Sequence, residues 1–331
     1  MRIAVVCAGE TPVPPRDYGG AERITDAMVW ELVNRGHEVD LFAGRGSTCP
    51  ATRLFIPEER LRSLAAHEPW MVDTVRQRHA GRPYAAVIDS AGTHMASQQP
   101  DLPVWARMGG DPFGLFPHDE CRNRVYISPE FAAFNGCPNH PVLRNVFCRE
   151  PEKLPRGDGA GGYALYVGVI HPMKGLVLAA EACKQLGMRL VIAGPRRLTY
   201  AYLTDELERR DAECIGPLGA DRAERDALFG AASVFLHLTQ CIDADPIAPK
   251  EAMVYGTPVV ASKNGGIAST VEPGISGYFA DDVAQVMARI EAALSLDRRE
   301  VRAAILPQVH VGRYAGRVEY LCRRVERGET W

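Results

Sequence analysis

From Asp243 to Ser262 the chain reads DADPIAPKEAMVYGTPVVAS. Two carboxylates stand in a loop, a short helix follows with Pro249 at its start, and Gly256-Thr257-Pro258 leads into the apolar run Val259-Val260-Ala261. Proline suits the first helical position because its missing amide has no intrahelical partner there. An apolar β-branched run is what a parallel strand covered on both faces requires. Such a unit aims a helix N-terminus at the carboxyl edge of a sheet, where anionic ligands collect. Helix-Gly-strand units also serve as plain scaffold in α/β proteins, so a ligand edge needs support from other segments.

Upstream, Ser233 to Leu238 forms a strand, Cys214 to Leu218 another, and Arg189 to Ala193 a third that ends in Gly194-Pro195. Before these, Tyr163 to Gly168 is a strand followed by His171-Pro172-Met173-Lys174-Gly175 and a helix to Leu186. Downstream come Asn264-Gly265-Gly266, a short strand at Gly277-Tyr278-Phe279, and a helix from Asp281 to Leu294. Val311, Tyr314, Val318, Leu321 and Val325 recur at helical spacing, which predicts an amphipathic helix over 309–327. Strands alternating with helices predict a parallel sheet wound on both faces.

The first half repeats the pattern. Arg2 to Cys7 is a buried strand, and Gly19-Gly20-Ala21-Glu22-Arg23 opens a helix to Arg35. Strands are predicted at His37 to Phe42, Tyr84 to Asp89, Val104 to Arg107, Val125 to Ser128 and Val142 to Asn145, with helices over 57–80 and 129–134. No GxGxxG follows the first strand, so the dinucleotide fingerprint is missing. Residues 149–162, REPEKLPRGDGAGG, have the composition of an interdomain linker.

With 331 residues the chain is long enough for two cores. A net charge of −3 gives no electrostatic footprint for nucleic acid or an anionic membrane, and small molecules are the expected partners. MRIAVVCAGE reads as a strand and loop rather than a signal peptide, and no stretch reaches the roughly 18 apolar residues of a membrane span. The expectation is a soluble, cytoplasmic protein. Nine scattered cysteines, an odd number, fit reduced thiols. Only five lysines stand against 33 arginines, so a lysine at a phosphate site is the more informative. His118-x2-Cys121 and Cys137-x2-His140 have metal-like spacing and allow a structural zinc at an edge opposite the ligand edge.

Asp243-x7-Glu251 followed by Glu-Ala-Met-x-x-Gly-Thr-Pro-Val-Val-Ala resembles the signature of retaining glycosyltransferases of family 4. The Gly19-Gly20-x-Glu-Arg turn and Lys174-Gly175 stand in the order that family shows. The resemblance implies the α/β GT-B architecture, two doubly wound Rossmann-like domains with parallel sheets facing a central cleft. It implies an acceptor-side domain at 1–150, with the helix 309–327 packing back on it, and a nucleotide-sugar domain at 151–308.

By the same resemblance, Lys174 clamps the leaving diphosphate, Asp243 faces sugar hydroxyls and Glu251 accepts from the ribose diol. Gly19 and Gly20 let backbone amides approach donor phosphate and sugar, and Gly168, Gly194, Leu218 and Ile247 line the nucleotide. Donor and acceptor are a nucleotide sugar, UDP the commonest case, and a small molecule or glycan; no cofactor and no divalent metal are implied. The short chain is similar to small enzymes that decorate antibiotics.

Three positions depart from the pattern. Val169 stands where the family carries an arginine, Met108-Gly109-Gly110-Asp111 lacks the family's histidine, and Pro246 replaces a glycine. Arg196, Arg197 and Lys250 are the candidates for the vacant cation. The departures keep two alternatives open, a nucleotide-sugar-binding protein without transfer and a nucleotide-sugar epimerase.

Overall fold

In the computed structural model, which describes residues 1–7, 11–16, 19–57, 64–109, 120–195, 198–218 and 222–331, the apolar runs of the sequence become two separate parallel sheets. The chain divides into two units, Met1–Arg149 with His310–Trp331, and Glu150–Val309.

The first unit contains β1 (Arg2–Cys7), α1 (Gly20–Asn34), β2 (Glu38–Phe42), β3 (Arg53–Phe55), α2 (Leu64–Gly81), β4 (Ala86–Ser90), β5 (Val104–Met108), β6 (Arg124–Tyr126) and α3 (Pro129–Phe134). Its six strands lie in the order β3-β2-β1-β4-β5-β6. Ala4, Val6, Val87 and Val104 cover one face with Met71, Val72 and Val75 of α2. A last helix, Val311–Glu326 and labelled α10 below, belongs to this unit and packs on α1, β4 and β5. Val311, Tyr314, Val318, Leu321 and Val325 form its buried stripe. Arg35 donates to the Gly312 carbonyl at 2.6 Å, and Trp331 Nε1 donates to the Arg124 carbonyl at 2.8 Å.

The second unit contains β7 (Tyr163–Val167), α4 (Leu176–Leu186), β8 (Arg189–Ala193), α5 (Ala201–Glu208), β9 (Ala212–Gly216), α6 (Arg222–Ala231), β10 (Val234–His237), α7 (Ile247–Val254), β11 (Val259–Ala261), β12 (Gly277–Phe279), α8 (Val283–Ala293) and α9 (Arg298–Val309). Its sheet order is β12-β11-β10-β7-β8-β9. Read from β9, this is the same 3-2-1-4-5-6 winding as in the first unit. Alternate residues divide between the two faces: Ala164, Tyr166, Ile192, Leu236 and Val260 pack on α4 and α8. Phe235, on the other face, stacks at 6.1 Å on Phe229, which itself stacks at 5.6 Å on Tyr255.

Several boundaries differ from the sequence expectation. β3 has no counterpart in the sequence pattern, because three half-buried residues carry no periodicity. Val142 makes one isolated bridge to Tyr126 instead of starting a strand. α7 begins at Ile247, so Pro249 lies inside its first turn, where a missing amide still removes no intrahelical bond. Residues 157–161 are not a free tether: Gly157, Gly159 and Gly161 amides donate to the carbonyls of Tyr255, Gly230 and Ala231. Arg298 clamps the same strip through the carbonyls of Gly157, Gly230 and Ala232. Gly-rich composition here serves close backbone packing.

Candidate functional site

In a doubly wound sheet the connections after two adjacent central strands leave on opposite faces, and the crevice between them is the natural ligand position. In the second unit those strands are β7 and β10, which pair in parallel. Lys174 ends a single 3-10 turn, Pro172–Lys174, whose start is capped by the His171 ring accepting from the Met173 amide at 3.1 Å. Gly175 then takes φ 66°, and a Cβ there would lie 1.9 Å from the Leu238 carbonyl oxygen. Only glycine allows the turn to sit this close to the end of β10.

The turn sets Lys174 Nζ 2.7 Å from Asp243 Oδ2. Asp243 is itself fixed by its backbone, whose carbonyl accepts from the Gly266 amide at 2.9 Å. His237, the last residue of β10, points Nε2 at the same Oδ2 from 3.6 Å. The side chains of Lys174 and Asp243 are 25% and 22% exposed, so an incoming ligand can reach both.

Electrostatics fix the charges. Burial pushes the Asp243 carboxyl up, but the ammonium of Lys174 and the ring of His237 outweigh it and hold Asp243 below the usual carboxylate range. Burial, with help from Lys174, pulls His237 down to about 4 against the opposing pull of Asp243. At neutral pH the site therefore holds an ammonium, a carboxylate and a neutral imidazole.

The depressed His237 value has a stability consequence. Its folded value lies below the unfolded one near 6.5, so its contribution is complete above pH 6.5 and is lost as pH falls toward 4. The size is roughly 2–3 kcal/mol between pH 7 and pH 4.5. His237→Gln is expected to lose that much less stability in urea unfolding at pH 4.5; equal acid losses in parent and variant would refute the assignment.

Glu251, in the first turns of α7, does not join Lys174 and Asp243. Its side chain is 1% exposed, and Arg225 of α6 donates to both oxygens, Nε to Oε1 at 3.1 Å and Nη2 to Oε2 at 2.6 Å. Lys250 is fully buried and donates to Asp245 Oδ2 at 2.6 Å, which removes it as a cation for the place opposite Val169. Arg196 and Arg197 lie outside the described residues.

The remaining sequence candidates have packing reasons of their own. A Cβ on Gly194 would lie 1.7 Å from the Gly168 carbonyl oxygen, so the ends of β7 and β8 approach at a distance only glycine permits. Leu218 is buried, while Ile247 opens α7 half-buried. Gly19 caps α1 in the first unit, where its carbonyl accepts from Arg23, and Gly20 is the first helical residue.

Among the described residues no three His, Cys, Asp or Glu side chains converge as a metal set, so Cys121, Cys137 and His140 do not form one; His118 lies outside the described residues. None of the nine cysteines is joined in a disulfide among the described residues.

Two residues were missed from the sequence. His237 interrupts the apolar run Val-Phe-Leu-His-Leu with a polar group at a strand end. Arg225 lies one turn before the buried Phe229, its guanidinium 5.6 Å over that ring, and so on the inward face of α6. Both are polar residues at apolar-periodic positions.

Comparison with known proteins agrees with this geometry. Residues 156–305, which lie within the second unit, match the family described as "Glycosyl transferases group 1". Over 159 residues the chain is 31% identical to the lipopolysaccharide 1,2-N-acetylglucosaminetransferase of Salmonella typhimurium, covering 41% of this chain and 42% of that protein. The chain spans less than half the length of the curated relatives it matches. The crystal structure of AviGT4, a glycosyltransferase involved in avilamycin A biosynthesis, superposes with TM-score 0.79 at 24% identity, covering 100% of this chain and 99% of that one. Anabaena HepE in complex with UDP superposes with TM-score 0.71 at 17% identity, covering 97% and 99%. The two doubly wound units are those of the GT-B fold.

Proposed function

We propose that the protein is a retaining, metal-independent glycosyltransferase that moves a sugar from a nucleoside-diphosphate donor to a small-molecule or glycan acceptor. The observation that carries this is the Lys174–Asp243 pair at the switch point of a glycosyl transferases group 1 domain. In transfer, the bond between the sugar and the diphosphate breaks, and negative charge grows on the departing phosphate oxygens. An ammonium held at that edge stabilises this charge. Asp243, ionised and partly exposed, accepts from sugar hydroxyls, and Glu251, buried against Arg225, reaches the ribose diol only once that pair opens. UDP sugars are the donors to test first, since HepE was solved with UDP.

Val169 supports a second reading, a protein that binds a nucleotide sugar without transferring it, because among the described residues the clamp then rests on Lys174 alone. One experiment separates the two. The protein is incubated with a panel of nucleotide sugars and acceptors in excess chelator, and nucleoside diphosphate release is followed by chromatography. Release that persists in chelator is expected. Activity lost in chelator and restored by manganese would overturn metal independence, and binding without release would favour the second reading.

A further inference from the structure

Two groups compete for one oxygen of Asp243. Lys174 Nζ occupies Oδ2 at 2.7 Å, and His237 Nε2 stops at 3.6 Å, beyond hydrogen-bond range. That ring nitrogen is buried and has no hydrogen-bond partner among the described residues. Buried polar groups are nearly always paired, so an orphan pointing at an occupied acceptor calls for an explanation.

On the reading that Lys174 serves the donor diphosphate, its ammonium must turn away from Asp243 when the nucleotide sugar enters. Asp243 would then be a largely desolvated carboxylate without its cation, free to rotate or to take up a proton. We propose that His237 is a positioning residue for Asp243: as Lys174 turns to the diphosphate, the His237 Nε2–H closes on the vacated Oδ2 and keeps that carboxylate fixed and ionised toward the sugar. The exchange uses a hydrogen bond that is latent in the empty site, and a shift of a few tenths of an ångström completes it. The neutral ring suits this part, since its Nε2–H tautomer donates without adding a second full charge beside Lys174. Its effect falls on the sugar and not on the nucleotide.

The test compares His237→Leu with His237→Gln, whose side-chain amide can supply an N–H near the same place. His237→Leu is expected to leave UDP affinity within about twofold while lowering kcat about tenfold or more, the loss of one hydrogen bond to a charged group. His237→Gln is expected to recover most of that kcat. Equal kcat in parent and both variants, or equal loss in both with weakened UDP binding, would overturn the proposal in favour of simple packing.

A second measurement needs no change at His237. In a crystal structure of Lys174→Ala without ligand, Oδ2 is vacated permanently, and the His237 Nε2 to Asp243 Oδ2 distance is expected to contract to about 3 Å. A ring that stays at 3.6 Å there would also overturn it. That structure tests the partner exchange whether or not transfer is found, so its failure is distinct from failure of the transferase reading.

Discussion

Lys174→Ala is expected to lower turnover by roughly 10²- to 10³-fold while the second unit stays folded. Removing one preorganised donor from a site where oxyanion charge develops typically costs about 2.7–4 kcal/mol in the transition state. Nothing described at the Val169 position shares that load, and Lys250 is committed to Asp245. The fold is expected to persist because the Lys174 side chain is a quarter exposed and the turn is set by His171 and Gly175. Steady-state kinetics with a saturating nucleotide sugar, alongside calorimetric titration with UDP, reads the effect. Unchanged turnover and unchanged diphosphate affinity would remove Lys174 from the clamp and leave the non-transferring reading as the better one.

Asp245→Ala is expected to destabilise the protein by about 3–5 kcal/mol, more than any surface change near the site, because it strands the Lys250 ammonium in a core position. Both partners are fully buried, and the pair stitches the loop after β10 to α7 across one turn. Replacing both at once, Asp245→Leu with Lys250→Met, removes the desolvation penalty along with the attraction and is expected to come close to the parent or exceed it. Urea unfolding of the three variants at neutral pH decides the matter. A single variant within about 1 kcal/mol of the parent would mean that water or another group reaches the stranded charge.

Periodicity and punctuation carried most of the architecture in this chain. β1, β7, β8 and β11 fall on apolar runs, β2 and β5 on runs broken by the buried Asp40 and Arg107, and α3, α4 and α8 on stripes bounded by proline, glycine or aspartate. What escaped were elements whose identity depends on neighbours: β3, which is formed by pairing with β2, and α9, which covers α7 and carries the arginine that pins residues 157–161. At the site, motif spacing singled out Lys174, Asp243 and Glu251 but could not say which would meet. Lys174 and Asp243 do, 69 positions apart, because β7 and β10 are neighbours only in the folded sheet. Glu251 faces Arg225 instead, 26 positions away on α6. Lys250, a candidate cation by proximity in sequence, turns inward because adjacent residues on a helix point about 100° apart.

The two-unit division also has a meaning for synthesis. Glu150–Val309 is an insertion: it interrupts the first unit, which residues 310–331 complete. On a ribosome the second unit has all its residues available first and can fold as a unit. The first must wait with the α1, β4 and β5 surface uncovered until α10 emerges. A chain cut short after Val309 would therefore damage the half that was made earlier, and a chaperone acting on this protein would find its substrate at the uncovered α1, β4 and β5 surface.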